Sequence, residues 1–353
     1  MGFVWCPFCK NPHLLTEQTC PITHLPMPTE GGRTKKRSVQ IGSLIDKKYV
    51  LKTLLGSGGF GVVYAAENVV DGGLFALKFL GNKTRDAALR FEQESRIAHR
   101  LQHPNICRVF DSGTTAGGTP FFVMELLAGA TLGRRMDQRA LDPHEAVGIM
   151  VQVLSGLSAA HAMGVIHRDI KPENIFLEEQ QGLEPVAKIL DFGTAKLRDA
   201  LLMINTAKGM SVGTILYMSP EQVQGHQVGI QSDIFASAVV LYEAIAGRHP
   251  FPGKSHLEVA TRILRESPAP LRARVGACSP AFCSVVATAL EKDPARRSGS
   301  AEQFRDALEA ALRTMERPRQ VERSAENRLP DLGDSADDEA ETLRFPSTDY
   351  DKH

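Results

Sequence analysis

A carboxylate and an amine lie two residues apart in the segment HRDIKPEN, residues 167–174. Asp169 can accept a proton from a hydroxyl nucleophile, because a carboxylate is a general base. Lys171 can neutralise the charge of a nearby phosphate oxygen. Transfer of a phosphoryl group to a hydroxyl needs both functions in one place. The segment is therefore a candidate catalytic loop.

Two further side chains add oxygen ligands for a metal ion. Asn174 ends the same segment, and Asp191 begins the later segment DFG, residues 191–193. Amide and carboxylate oxygens are the hard ligands that Mg²⁺ prefers. Phosphoryl transfer depends on positioning and charge neutralisation more than on covalent chemistry of the protein. The two segments together predict Mg²⁺-dependent phosphoryl transfer.

Through these segments the chain resembles the bacterial, eukaryotic-like serine/threonine protein kinases. The resemblance covers roughly residues 49–315 and implies an α+β fold of two lobes, a small antiparallel-sheet N-lobe and a larger helical C-lobe. It also implies transfer of the ATP γ-phosphate to Ser or Thr hydroxyls of protein substrates, and autophosphorylation. Lys171 and Thr214 match the serine/threonine branch of the family rather than the tyrosine branch.

A glycine-rich segment precedes the candidate catalytic loop. The same spacing of glycines also opens dinucleotide-binding folds, so the pattern alone is weak. Here it runs directly into the strand-like segment VVY, residues 62–64, which favours ATP. Glycines let backbone N–H groups approach phosphates without interference from a Cβ atom. By resemblance the ATP phosphates contact Gly56, Ser57, Gly58, Gly59, Phe60 and Gly61.

Lys78 is the one charged residue in the strand-like run FALK, residues 75–78. The plain interpretation is a lysine at the surface end of a strand. The resemblance instead implies that Lys78 binds the α- and β-phosphates of ATP. Its acidic partner on the next helix is Glu92 or Glu94. Glu94 shares the apolar face of that helix, so helical spacing favours Glu94.

An apolar strand predicted at residues 121–125 runs into a linker. By resemblance it is the hinge between the lobes, with Met124 as the gatekeeper and backbone groups of Glu125 and Leu127 against the adenine. The family places further apolar side chains in the same slot, although each of them would also suit an ordinary core. They are Leu55, Val63, Ala76 and Phe176.

Residues 191–221 correspond to the activation segment of the family. In relatives an arginine in the position of Arg168 pairs with a phosphorylated residue of this segment, and Thr206 falls at that phosphosite. A second threonine common in relatives is Lys208 here. The family also pairs Glu221 with Arg297 in a buried ion pair.

Two positions depart from the family pattern. Ala238 stands where a glycine is usual, and residues 178–185 lengthen a predicted hairpin; neither change touches a catalytic residue. Three rival functions stay open at this point. They are a pseudokinase scaffold, a phosphotransferase for small molecules, and a kinase domain that merely regulates the N-terminal module. The intact Lys78, Asp169 and Asp191 argue against the first rival.

Charge balance and apolar content limit the partners and location that we expect for this protein. The 353 residues include 41 Lys+Arg and 41 Asp+Glu, so bulk charge indicates neither a nucleic-acid nor a membrane partner. We expect a cytoplasmic protein because no signal-peptide pattern or long apolar run is present; whether it forms a homodimer stays open. The predicted divisions are a zinc-ribbon-like module, a linker, the kinase domain and a disordered acidic tail, at residues 1–28, 29–48, 49–315 and 316–353.

The N-terminal module contains three of the six cysteines. Clustered cysteines in a reducing compartment favour a metal over a disulfide. The predicted zinc ligands are Cys6, Cys9, Cys20 and His24, with His13 as the alternative fourth ligand. A closed set of four would be structural, and a module this short needs such a staple. A reduced, disordered tail is the other interpretation.

The remaining features have plain interpretations. Cys107, Cys278 and Cys283 are expected to be small buried hydrophobic residues. In the acidic tail, Thr342 is a candidate phosphorylation site for a phosphothreonine-reading partner, against the plainer interpretation of an unmodified, solubilising tail.

Overall fold

The structure is a computed structural model that describes residues 3–5, 12–14, 39–58, 61–80, 91, 95, 97–191, 215–275 and 278–315. Residues 1–316 and 317–353 form separate units. The second unit, and with it the predicted acidic tail, lies outside the described residues. Within the described ranges, no helix combines the length and apolar character needed to span a membrane.

A small antiparallel hairpin comes first, from strands β1 (Phe3–Trp5) and β2 (Pro12–Leu14). The N-lobe that follows is one antiparallel sheet of six strands in the order β3-β4-β5-β6-β8-β7. Its strands are β3 (Leu44–Ile45), β4 (Tyr49–Gly58), β5 (Gly61–Asn68), β6 (Leu74–Leu80), β7 (Val109–Thr114) and β8 (Pro120–Glu125).

One face of this sheet carries the N-lobe core. On this face Leu77 and Phe79 of β6 are buried against Phe121 of β8. Ala76 and Lys78, which alternate with them along β6, point to the opposite face. Residues 39–48, predicted as linker, cover part of this face: Ile45 is buried, and the Tyr64 hydroxyl donates to the Val39 carbonyl at 3.1 Å. The chain before the family-like region thus contributes a strand and core contacts to the N-lobe.

A second antiparallel sheet, of order β11-β10-β9, lies at the start of the C-lobe. Its strands are β9 (Gly129–Thr131), β10 (Ile175–Gln180) and β11 (Leu183–Ile189). The hairpin predicted around residues 178–185 is present, and Gly182 turns it with a φ of 72°, a conformation that glycine adopts without strain.

Seven α-helices occur in the described part of the C-lobe. They are α1 (Leu132–Gln138), α2 (Pro143–Ala162), α3 (Pro220–Gln224), α4 (Ile230–Ala246), α5 (His256–Arg265), α6 (Pro280–Ala289) and α7 (Ala301–Arg313). Helix α2, predicted from apolar periodicity, begins where the Asp142 carboxylate accepts from the His144 N–H at 2.8 Å. Most residues of α4 are buried, including Ala238, and the helix continues through that position.

The described elements confirm the predicted two-lobed kinase fold. An antiparallel sheet forms the smaller lobe, and α2, α4, α6 and α7 enclose the main apolar core of the larger one. The candidate catalytic loop, residues 167–174, lies in the connection from α2 to β10 and therefore emerges from that core.

Candidate active site

The candidate catalytic loop is fixed by one buried carboxylate from helix α4. Asp233 is fully buried and accepts hydrogen bonds from the backbone N–H groups of His167 at 2.9 Å and Arg168 at 2.7 Å. The His161 ring lies 2.8 Å from the same carboxylate. Arg168 has a φ of 67°, a strained conformation for a residue with a side chain, which persists where surrounding contacts enforce it. Asp233 supplies those contacts.

Asp169 is held by two neighbours in the same loop. The Lys171 ammonium lies 3.3 and 3.2 Å from its two carboxylate oxygens. The Asn174 amide nitrogen donates to the Asp169 carbonyl at 2.8 Å and to its carboxylate at 3.0 Å. Because the amide nitrogen is committed to Asp169, the orientation of the Asn174 amide oxygen is fixed as well. The loop therefore presents a carboxylate, an ammonium and an amide oxygen together.

His167 joins this loop to the strand that leads to Asp191. Its Nδ1 accepts from the Asp169 N–H at 3.2 Å, and its Nε2 donates to the Leu190 carbonyl at 2.8 Å. Complete burial lowers the pKa of His167, which agrees with a neutral ring that accepts on one side and donates on the other. The Leu190 N–H in turn donates to the Asn174 carbonyl at 2.8 Å. These bonds set Asp191 beside Asn174.

Lys78 from the N-lobe meets Asp191 from the C-lobe in an ion pair. Both side chains are largely buried, with 11% and 27% of their surfaces exposed. Asp191 has a φ of 54°, so this residue too occupies the left-handed region. The pair brings together the lysine and the carboxylate that the sequence predicted for phosphates and metal.

Three residues predicted to contact ATP, Val63, Ala76 and Met124, share one face of the N-lobe sheet with Lys78. Directly opposite residues of antiparallel strands point to the same side, and the register pairs Val63 with Lys78 and Ala76 with Met124. Ala76 and Lys78 are two residues apart in β6 and so share that side. Leu55 lies in an irregular part of β4 and is 51% exposed.

At the start of the hinge, Glu125 ends strand β8 and is anchored by its side chain. The Lys188 ammonium lies 2.9 and 2.8 Å from its carboxylate oxygens, and the Arg108 N–H donates to it at 2.7 Å. Leu127 follows in the half-buried connection to β9, where Phe176 pairs across the sheet with Thr131. The hinge segment is thus fixed at its start by an ion pair with β11.

The glycine-rich hairpin requires a glycine where β5 begins. Gly61 pairs with Leu80 and has a φ of 138°, and a Cβ atom there would lie 1.9 Å from the Phe79 carbonyl oxygen. Gly56 by contrast has open space around it, since a Cβ atom at that position would meet no other atom within 4 Å. Because Gly56 has no side chain, its backbone leaves room for a phosphate-bearing ligand.

The oxygen atoms of Asp191 and Asn174 fit a Mg²⁺ ion whose remaining ligands come from phosphate and water. In the described part of the chain, no three His, Cys, Asp or Glu side chains converge as a metal site. Asp191 and Asn174 offer fewer oxygens than a protein cage would. Mg²⁺ is commonly bound in this way, through one or two carboxylates together with substrate phosphates and water.

The end of the activation segment is locked into the C-lobe. Glu221 and Arg297 form the predicted buried ion pair, with two contacts of 2.8 Å. Nearby, the Tyr217 hydroxyl donates to Glu243 at 2.7 Å, and burial raises the pKa of that carboxyl. The segment just before α3 therefore has a fixed place.

Several predicted site residues lie outside the described residues, so their placement stays a prediction. These are the phosphate-loop residues Gly59 and Phe60, the alternatives Glu92 and Glu94, the candidate phosphosite Thr206 with Lys208, and the zinc ligands Cys6, Cys9, Cys20 and His24.

Sequence reasoning missed the positioning residues. Asp233 is a fully buried acidic residue in a mostly apolar helix, and a charge in a buried run was the signal that could have identified it. Gln222, whose amide donates to the Arg168 carbonyl at 2.8 Å, carries no such signal.

Residues 49–308 match the protein kinase domain family. This chain belongs to that family, whose members use ATP with Mg²⁺ or Mn²⁺.

Its relatives include bacterial serine/threonine-protein kinases. The chain is 39% identical over 286 residues to serine/threonine-protein kinase pkn3 of Myxococcus xanthus, covering 79% of this chain and 52% of the relative. For serine/threonine-protein kinase Pkn1 of the same organism the identity is 39% over 262 residues, 73% of this chain and 37% of the relative. Serine/threonine-protein kinase PknL of Mycobacterium tuberculosis is 33% identical over 280 residues, 78% and 68% of the two chains. The chain thus spans about half or less of the length of the first two relatives.

Proposed function

We propose that this protein is a serine/threonine protein kinase that transfers the γ-phosphate of ATP to Ser or Thr hydroxyls of protein substrates. The observation that carries the proposal is the arrangement around Asp169. Its carboxylate is bound by Lys171 and Asn174, next to the Lys78–Asp191 pair. Membership of the protein kinase family supports the same reaction.

In this reaction Asp169 orients the substrate hydroxyl and takes its proton as the hydroxyl oxygen attacks the γ-phosphorus. The bond from that phosphorus to the β,γ-bridging oxygen breaks, and ADP leaves. Lys171 stabilises the negative charge of the phosphoryl group during its transfer. Its ammonium group lies beside the Asp169 carboxylate, which orients the attacking hydroxyl. Asp169 returns its proton to solvent after product release.

Lys78 holds the α- and β-phosphates, and Asn174 and Asp191 would hold the metal ion. Bound Mg²⁺ supplies charge neutralisation on the phosphates. Glu94 is the proposed partner that frees Lys78 from Asp191 in the ATP-bound enzyme. The apolar slot for the adenine comprises Leu55, Val63, Ala76, Met124 and Phe176, with backbone contacts from Glu125 and Leu127.

Incubation with labelled ATP and Mg²⁺, followed by mass spectrometry of the products, tests the proposal. We expect phosphate on Ser or Thr side chains of a general protein substrate such as casein and of the kinase itself. Nucleotide binding without any transfer would instead indicate a pseudokinase scaffold. Label found only on small molecules would indicate the other rival class.

We also propose that phosphorylation of Thr206 activates the enzyme. In the described residues the buried Nε of Arg168 has no hydrogen-bond partner, and a guanidinium is the preferred partner of a phosphate. Thr206→Ala should lower activity, whereas Ser211→Ala in the same segment serves as the matched control. Full activity of unphosphorylated wild-type enzyme would contradict this proposal.

A structural zinc site in the N-terminal module is a third proposal. Strands β1 and β2 pair antiparallel, with Trp5 opposite Pro12. Cys6 and Cys9 lie in sequence between these two strands, and two thiolates with two residues between them can bind one metal ion. Cys20 and His24 would complete the set.

Metal analysis of the full chain tests the zinc site. We expect about one zinc per chain, lost in Cys6→Ser/Cys9→Ser and kept in Cys107→Ser. Protein purified without chelator that contains no zinc would refute the site and leave the kinase proposal intact.

A further inference from the structure

Two cysteines lie at the beginning of helix α6. Ser279 caps the helix, since its hydroxyl accepts from the Phe282 N–H at 3.2 Å. Cys278 immediately precedes this cap, and Cys283 is the fourth residue of the helix, with its N–H donating to the Ser279 carbonyl at 3.0 Å. Side chains in these two positions commonly pack against each other and fix the direction in which the chain enters the helix.

The two side chains flank the same helix cap, one before it and one in the first turn after it. Cys278 is 3% exposed, and the Cys283 side chain is among the neighbours that raise the pKa of its thiol. Cys283 is only partly buried. Burial and the neighbouring Cys283 raise the pKa of Cys278 to about 11, so Cys278 stays protonated at neutral pH while Cys283 is the thiol that solvent reaches.

For packing alone, any pair of small hydrophobic residues in these two positions would serve. Two neighbouring thiols, one partly exposed and one buried, can additionally react in sequence. We propose that Cys278 and Cys283 form a reversible dithiol–disulfide site that reacts with low-molecular-weight disulfides, with Cys283 attacking first and Cys278 resolving the adduct.

The reaction is a pair of thiol–disulfide exchanges. The Cys283 thiolate attacks one sulfur of the small disulfide, whose S–S bond breaks and releases the first small thiolate. The Cys278 thiol then loses its proton and attacks the Cys283 sulfur of the mixed disulfide, releasing the second small thiolate. The protein dithiol is oxidised by two electrons, the small disulfide is reduced to two thiols, and the two cysteine protons pass to those thiols.

The disulfide would close a ring of residues 278–283 around the helix cap. Phe282, inside that ring, is fully buried in the C-lobe core. Because the two cysteines flank one helix cap, we expect the bond to form without unwinding α6. The ring contains no residue of the candidate active site, so phosphotransfer by the oxidised enzyme should stay at the level of the reduced enzyme.

The experiment treats the full chain with oxidised glutathione, alkylates it after denaturation, and maps its tryptic peptides without reduction. Both cysteines fall in one tryptic peptide, residues 275–292, which has no internal Lys or Arg. We expect this peptide to lose the mass of two hydrogen atoms and to resist alkylation, and dithiothreitol to reverse the change. Cys107, a buried thiol on another peptide, is the internal control and should be fully alkylated.

Two variants separate the roles of the thiols. Cys278→Ser should stop at a stable glutathione adduct on Cys283, whereas Cys283→Ser should leave Cys278 unmodified. The proposal is overturned if the wild-type peptide remains a fully alkylated dithiol, or if both single variants form adducts at the same rate. Retained phosphotransfer activity in the oxidised sample shows that the reaction occurred on folded protein.

Discussion

Glu221 and Arg297 form a two-contact ion pair inside the C-lobe, although 76 residues separate them in the chain. Their side chains are 6% and 0% exposed. Burial alone would raise the pKa of Glu221, but hydrogen bonds from Arg297 and Ser232 outweigh it, and the pKa is lowered. Arg297 also donates to the carbonyls of Glu291, Gln231 and Lys292. The pair thus joins the end of the activation segment to the chain before α7.

Arg297→Met should destabilise the fold by about 3–5 kcal/mol, because it leaves the Glu221 carboxylate buried without its partner. Urea unfolding at pH 7 measures the loss. Arg296→Met is the matched control, since Arg296 is exposed at the neighbouring position. An Arg297→Met chain as stable as the Arg296→Met chain would contradict the assignment.

Asp233→Asn should reduce phosphotransfer strongly and stability by about 1–3 kcal/mol. The carboxylate accepts from two backbone N–H groups and faces His161, whereas an amide turns one NH₂ group toward those donors. The loop that carries Asp169 would then lose its anchor. Asp293→Asn, at an exposed helix cap, is the control. Wild-type turnover by Asp233→Asn would show that the anchor is dispensable.

Gly61→Ala should destabilise the N-lobe by about 1–3 kcal/mol, since its Cβ atom would overlap the Phe79 carbonyl. Gly56→Ala provides the comparison, because the space around that glycine is open. Thermal unfolding without nucleotide measures both variants. Equal melting temperatures would contradict the hairpin geometry.

Acid should weaken the fold through His249. Its Nε2 donates to the Leu216 carbonyl at 2.9 Å and its Nδ1 accepts from the Phe251 N–H at 3.0 Å. Burial lowers the pKa of His249 from 6.5 to about 4. The unfolded chain therefore binds a proton that the folded chain does not, at pH values between these two.

The stability that neutral His249 contributes is complete above about pH 6.5 and is lost as the pH falls toward 4, by up to about 3 kcal/mol. Urea unfolding between pH 7 and 4 measures it. His249→Gln should flatten this dependence in part, since the pKa of His167 is lowered too, while exposed His226→Gln should not. An unchanged slope in His249→Gln would refute the assignment.

Motif spacing predicted much of this molecule because the reacting groups occupy short segments. Asp169, Lys171 and Asn174 are within five residues of one another, so one loop conformation brings them together. Helix α2 was predicted from its apolar periodicity, which its buried face explains. The Glu221–Arg297 pair was predicted through the resemblance alone.

Long-range support could not be predicted in the same way. Asp233 acts on backbone N–H groups more than 60 residues away, and backbone groups leave no mark in a sequence. Residues 39–48 looked like a linker because most of their side chains are polar or exposed. The few that pack against the sheet, Ile45 and Val39, form no recognisable pattern in the sequence. The proximity of Cys278 to Cys283 depends on the direction of the chain at a helix cap, which spacing alone does not give.

Comparison of phosphate transfer by wild-type enzyme and Asp169→Asn tests the central claim most directly. Both proteins are given Mg²⁺ and labelled ATP, and nucleotide affinity is measured alongside the rate. Removal of the general base should lower transfer by about 10²–10⁴-fold, while ATP binding stays close to wild type because Lys78 and Asp191 are untouched. Transfer by Asp169→Asn at the wild-type rate would contradict the account.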